Sequence, residues 1–271
     1  MNASESLDLQ TAADELGVHY QTAYRWVRTG RLPALLIAGR YSVERADLAA
    51  FDQARHTPTN PIAPSAPRLD RSADRVHEAL INGDEPTVGQ ITRKLVDEGS
   101  SLIDVIQGVF VPSLRRIGQS WHDGELPVWV EHRASAIVER VLGEHAPNPR
   151  GRRRGTAVVA ALSGDRHSLP TTMAAIALRE DNWHVHHLGA DTPPDDIVQI
   201  CAQHDITLTV LTVTLSELAG LAKRTADHLR TAGTATLIGG TGGTLHTLVA
   251  EARLNASTAR RGRQQPASPT T

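Results

Sequence analysis

The sequence predicts a multidomain chain with α and α/β parts: a short N-terminal helical module, a four-helix bundle and a C-terminal domain built on a parallel sheet. Three observations carry this. Apolar, strand-like runs at 156–162, 184–189, 208–213 and 235–240 alternate with helical patterns at 170–181, 193–204 and 216–231, as in a parallel sheet covered on both faces. Residues 72–82, 86–98, 101–122 and 127–144 carry apolar positions at three- and four-residue spacing, separated by short polar breaks such as NGD and EGSS. Short connections of that kind predict an up-down bundle. Finally, HTPTNPIAPSAPRLD (56–70) and HAPNPRGRRRG (145–155) read as connectors, leaving folded segments at 5–55, 71–145 and 155–252.

Composition narrows the function classes. With one cysteine, Cys201, there is no internal disulfide framework, which suits a reducing compartment; the thiol itself reads as a small buried apolar group. The N-terminus MNASESLDLQ lacks a basic region followed by an apolar core, and no apolar run approaches the roughly 18 residues of a spanning helix. The expectation is a soluble, cytoplasmic protein with no membrane partner. A net charge of −2 argues against nucleic-acid binding by the chain as a whole, so the local distribution of charge matters more.

Taken in order, the N-terminal segment opens with two short amphipathic helices, 9–16 and 20–29, joined through Gly17-Val18 at a spacing that suits a helix-turn-helix. LPALLIAGRYSV then reads as a hairpin with Gly39 at its tip. Between His19 and Arg45 stand five arginines (25, 28, 31, 40 and 45) against one acid, Glu44, a local +4 expected of a phosphate-contacting module. The words TAADELGV, TAYRWVRTGRLPA and GRYSV resemble the winged helix-turn-helix of the MerR and excisionase families. That resemblance implies double-stranded DNA as partner, with Gln21, Thr22, Tyr24, Arg25 and Arg28 on the recognition helix and Arg40 on the wing. Arg31 reads equally as a helix-end cap, and Trp26 as core.

In the bundle, Pro112 falls inside the third helix and should kink it, while Pro127 stands where a first helical turn tolerates proline. In the last segment the first strand ends at Asp165-Arg166-His167, and ligands of open α/β sheets bind at the carboxyl ends of strands. A ligating imidazole usually hydrogen-bonds its other nitrogen to a carboxylate that fixes its tautomer. No second ligand stands at zinc-like spacing, so one histidine suits an axial ligand to a metal already held by a macrocycle. His184, His186 and His187 read as strand residues, 184 and 186 on one face and 187 on the other. The polar tail from 253 to 271 reads as disordered.

Asp165-x-His167, Thr212 and Thr214 in LTVT, and Gly239-Gly240 in LIGG together resemble the signature of Rossmann-like cobalamin-binding domains. The resemblance implies that His167 coordinates cobalt from below while the hydroxyl and glycine positions line a slot for the dimethylbenzimidazole tail. Pro170 departs from the pattern, standing where the motif has glycine. Between the last two bundle helices, WHDGELPVWVEH places Trp121 ten residues before Glu131 and His132. Singly these read as a bundle-core Trp, a surface charge and an exposed His. Their joint spacing is similar to that of the light-sensing cobalamin regulators of the CarH and LitR group. This implies a repressor using adenosylcobalamin, with Trp121 and Glu131 beside the adenosyl group, His132 as upper cobalt ligand after light, and a DNA-bound dark-state oligomer, a tetramer. Two alternatives stay open: a corrinoid-carrying methyltransferase subunit, against which the DNA module argues, and a regulator that has lost cobalamin, which Pro170 favours.

Overall fold

The computed structural model describes residues 6–18, 20–28, 32–37, 39–56, 66–145, 148–149, 151, 153–240 and 243–264. The chain divides into two units, one of residues 1–134 with 149–153, the other of 135–148 with 154–271.

The first unit begins with β1 (Ser6–Asp8), α1 (Leu9–Glu15) and α2 (Tyr20–Arg28). Asp8 caps α1 by accepting the Thr11 N–H at 2.8 Å, and α1 closes where Gly17, at φ +66°, turns the chain so that the Val18 N–H reaches the Ala13 carbonyl. β2 (Leu35–Ile37) and β3 (Arg40–Glu44) form the expected hairpin with Gly39 at φ +80°, and β1 adds to the far side of β3. A further helix, α3 (Arg45–His56), has no counterpart in the sequence reading. It is fixed by tertiary contact: Leu48 is buried, and the Phe51 ring lies 5.1 Å from Trp26, which is core as expected.

Four helical segments follow. α4 (Ala66–Asn82) starts inside the stretch expected to be a spacer, because Leu69 packs onto Gly108, where an added Cβ would stand 2.8 Å from the Leu69 Cδ1. α5 (Glu85–Asp97) is capped by Asp84, which takes the Thr87 N–H and hydroxyl. The third segment is α6 (Leu102–Val105), a π turn (Ile106–Phe110) and α7 (Val111–His122). The π turn answers the kink expected at Pro112: the Val111 N–H reaches back to the Ile106 carbonyl, and the extra residue relieves the ring that a regular turn would crowd. α8 (Val128–Gly143) runs to Ala134 with this unit and from Ser135 with the second. Val76, Leu80, Val88, Val105, Ile106, Phe110 and Ile117 are buried.

The second unit holds four parallel strands, β4 (Thr156–Leu162), β5 (His184–Thr192), β6 (Leu208–Val213) and β7 (Ala235–Gly240), in the order β5-β4-β6-β7. α9 (Ser168–Glu180) and α12 (Leu245–Gln264) cover one face; α10 (Pro194–Gln203) and α11 (Ala219–Thr231) cover the other. β5 runs three residues past its expected end because register shifts beyond Val159 let Leu162 pair with Thr192. The tail expected to be disordered from 253 is helical to Gln264, a correction: Ala252 is fully buried, Ala256 packs on the same core, and Arg253 clasps Asp181 at 2.6 Å. Residues 265–271 lie outside the described residues. Because β5 lies on one side of β4 and β6 on the other, the chain reverses direction across the sheet beside the carboxyl end of β4, the usual position of a ligand crevice. No helix among the described residues is long and apolar enough to cross a membrane.

Candidate functional site

At the end of β4 the chain turns through Gly164, at φ +94°, whose N–H is held by the Asp191 carboxylate at 2.8 Å; the Asp191 N–H in turn donates to the Asp165 carbonyl at 2.9 Å. Asp191 itself sits at φ +53°, an uncommon conformation for a side-chain-bearing residue, and it pins the loop to the end of β5. The spacing of Asp165 and His167 carried no hint of Asp191.

Asp165 is fully buried and saturated with donors. The Thr214 N–H reaches it at 2.8 Å, the Thr214 hydroxyl at 2.7 Å, the His167 N–H at 3.2 Å and the His167 Nδ1 at 2.8 Å. Burial pushes the Asp165 carboxyl upward, but the bonds from Thr214 and His167 outweigh it and hold the group below its ordinary value. An ionised carboxylate only accepts, so Nδ1 carries a proton, and in the neutral ring Nε2 carries the lone pair. The imidazole is 58% exposed, and Nε2 makes no hydrogen bond among the described residues. That is the tautomer and orientation a metal ligand requires.

Thr214 was expected in the tail slot; the structure places its hydroxyl 2.8 Å from the His167 Nδ1, bonded to Asp165. Thr212 stands one step inside β6, in register with Ala161 of β4 and Gly239 of β7. Its hydroxyl is buried without a hydrogen-bond partner among the described residues, an unfavourable arrangement that an incoming acceptor or donor would relieve. A Cβ at Gly239 would meet nothing within 4 Å, so no contact within the chain demands glycine there, and the backbone lies open to a ligand. Gly240 differs, since a Cβ there would sit 2.6 Å from the Val213 carbonyl oxygen. Pro170 falls at the third residue of α9, where a helix N–H has no partner in any case, so its missing donor costs the fold nothing.

In the first unit, Trp121 at the end of α7 is 47% exposed and is not bundle core. Glu131 is half-buried on the first turn of α8, and the His132 side chain is 68% exposed. The His132 Nδ1 lies 3.2 Å from the Val128 carbonyl, a bond that again leaves Nε2 outward.

His184 and His186 share a face of β5, their rings 5.0 Å apart, while His187 opposes them and binds Thr171 at 2.7 Å through Nε2. Burial first, and then the Arg179 charge, lower the His187 pKa against the opposing pull of Glu139. No group of three metal-capable side chains occurs among the described residues. Cys201 is half-buried, its Sγ 3.3 Å from the Thr209 hydroxyl, and burial pushes its thiol pKa up. On the N-terminal module, Arg40 is exposed at the start of β3, Thr22 is half-buried, and Tyr24 stacks on Tyr20 and meets Tyr41 edge-on. Gln21, Arg25 and Arg28 belong to α2, but their side chains lie outside the described residues.

Comparison with known proteins matches residues 72–144 and 155–259 to two B12 binding domain families and residues 6–56 to a helix-turn-helix domain. The chain is 31% identical over 144 residues to the HTH-type transcriptional repressor CarA of Myxococcus xanthus, covering 51% of this chain and 47% of that one. It is 26% identical over 132 residues to a corrinoid protein of Desulfitobacterium hafniense, covering 46% and 61%. It thus spans about half the length of the repressor and about three fifths of the corrinoid protein. The solved monomethylamine corrinoid protein of Methanosarcina barkeri superposes with a TM-score of 0.54 at 16% identity, over 71% of this chain and 98% of that one, a likeness of fold.

Proposed function

We infer that this chain, which joins a helix-turn-helix domain to two B12 binding domains in the manner of the CarH-type cobalamin-binding transcriptional regulators, is a light-responsive repressor that acts through adenosylcobalamin. The observation that carries the cofactor reading is the imidazole of His167, locked by Asp165 and Thr214 with Nε2 turned outward. The partnerless Thr212 hydroxyl and the open backbone at Gly239 suit the nucleotide tail of the same cofactor. When bound, adenosylcobalamin supplies a cobalt–carbon bond that light breaks. His167 would hold the metal, and Trp121 and Glu131 would meet the adenosyl group by apolar contact and hydrogen bonding. His132, with its Nδ1 engaged by the Val128 carbonyl, would offer Nε2 as a metal ligand in the absence of that group.

A ligand shifts a conformational equilibrium only through its different affinity for the two states. Contacts of Trp121 and Glu131 that exist only with the adenosyl group supply that difference, favouring a dark-state tetramer on double-stranded DNA. Several helix-turn-helix modules on one DNA bind with far higher avidity than one. The protein works in the cytoplasm, and no catalytic turnover is assigned to it. Corrinoid relatives alone would favour a methyl-carrying enzyme subunit; the helix-turn-helix match favours the regulator.

Gel filtration of the reconstituted chain before and after green light tests this reading. The dark form should elute as the larger assembly and bind its promoter DNA, and light should reduce both. The His132→Ala chain should keep the dark assembly and lose the two-histidine absorbance spectrum after illumination. An assembly and DNA affinity indifferent to light would eliminate the photoreceptor. On the DNA side, Arg40→Ala should weaken binding to all sequences alike and reduce the slope of log affinity against log salt by about one, measured by gel shift across a salt series.

A further inference from the structure

His167 occupies the N-cap position of α9, yet it makes no capping bond, because its Nδ1 is engaged by Asp165. The helix therefore begins without a local cap at the residue whose placement the site depends on. Its first residue is instead tied by its side chain to another element. The hydroxyl of Ser168, the first residue of α9, donates to the carboxylate of Glu139 on α8. The carbonyl of the same Ser168 accepts the Thr171 hydroxyl at 2.6 Å and the Thr172 hydroxyl at 3.3 Å. Since Thr171 gives its proton to Ser168, it accepts from the His187 Nε2 at 2.7 Å, so the chain of bonds continues into β5. Glu139 thus brings a carboxylate to the positive end of α9, where negative charge is favoured.

We propose that Glu139 is a positioning residue for His167: its hydrogen bond to Ser168 is a strut that fixes the start of α9, and with it the imidazole immediately before, to helix α8. Glu139 follows His132 by seven residues, so the two share a face of α8 about two turns apart. The inference rests on the cobalamin reading for its consequence, but the strut is defined in the chain alone.

The two are separated by measuring the full-length chain with and without cofactor. In the cofactor-free chain at a pH where histidine is neutral, 15N NMR of the imidazoles should show His167 protonated at Nδ1. Glu139→Ala and Ser168→Ala should leave the proton on Nδ1, where Asp165 holds it, but shift and broaden the His167 ring signals and speed hydrogen exchange in the first turn of α9, whereas Glu139→Gln, whose amide oxygen accepts the same bond, should restore the parent behaviour. With cobalamin added, Glu139→Ala should bind about 10-fold more weakly, the lower range for a residue acting through a ligand's neighbour, and show a smaller histidine-bound fraction in its absorbance spectrum. A Glu139→Ala chain with the parent's His167 ring signals and the parent's exchange in the first turn of α9 overturns the strut. So does a Glu139→Gln chain that behaves like Glu139→Ala. A parent chain whose His167 signals respond to Glu139→Ala in this way but which binds no cobalamin leaves the strut standing and removes the cofactor reading instead.

Discussion

Replacing His167 with alanine is expected to abolish stable retention of cobalamin while leaving the cofactor-free fold intact. The imidazole is largely exposed, and its loss removes one bond to Asp165, which keeps the two bonds from Thr214. Loss of one bond to a buried carboxylate that keeps its backbone N–H and Thr214 donors should cost the apo chain about 1–2 kcal/mol without unfolding it. Affinity should respond quite differently, because the substitution removes the outward Nε2 that would hold the metal. Asp165→Ala should weaken binding by roughly 10–100-fold, since the ring loses its fixed tautomer but keeps its lone pair. It should also destabilise the apo chain, because the Thr214 N–H and hydroxyl lose their acceptor. Equilibrium dialysis and thermal melting of both variants check this. A His167→Ala chain that retains cobalamin with the parent spectrum would falsify the assignment.

The largest effect on stability is expected at Asp181, at the end of α9. Its side chain is 2% exposed and receives Arg253 through Nε at 2.9 Å and Nη2 at 2.6 Å, Arg154 at 3.1 Å, and the indole N–H of the buried Trp183 at 3.3 Å. Removing one member of a buried pair typically costs 3–5 kcal/mol because the remaining charge is stranded. Both arginines here retain partial exposure and can turn to water, so Asp181→Ala should cost about 2–4 kcal/mol, at or below that range. The loss should be accompanied by release of α12, since Arg253 is its polar tie to the sheet unit. Urea unfolding gives the first quantity. Hydrogen exchange of residues 245–256 gives the second, and protection equal to the parent's there would refute the tie.

Much of the architecture was legible from pattern. β4, β6 and β7 have the expected bounds of 156–162, 208–213 and 235–240, because buried parallel strands are continuous apolar runs that stop at polar or glycine-rich turns. The helices of the sheet unit and of the bundle follow from periodicity in the same way. The elements missed are those stabilised by partners far along the chain. α3 carries only two large apolar residues, Leu48 and Phe51, and these find their place against the N-terminal core, Phe51 beside Trp26. α12 reads as a charged tail until Arg253 meets Asp181, 72 residues away.

The candidate site divides along the same line. Asp165 and His167 are two residues apart, so their pairing depends on one loop, and the sequence by itself determined it together with the strand end that carries them. Thr212 and Gly239 were placed near strand ends by their apolar runs, but that they stand side by side with Ala161 was decided by the pairing of β4, β6 and β7. Only the tertiary structure decided that Thr214 bonds Asp165 from 49 residues away, that Asp191 pins the Gly164 turn, and that Glu139 holds Ser168. A hydrogen bond fixes its partners within about 3 Å, yet imposes no periodicity on the residues between them. Local spacing and hydrophobic rhythm are written along the chain, whereas the bonds that orient the imidazole exist only once the sheet and helices have brought distant residues together.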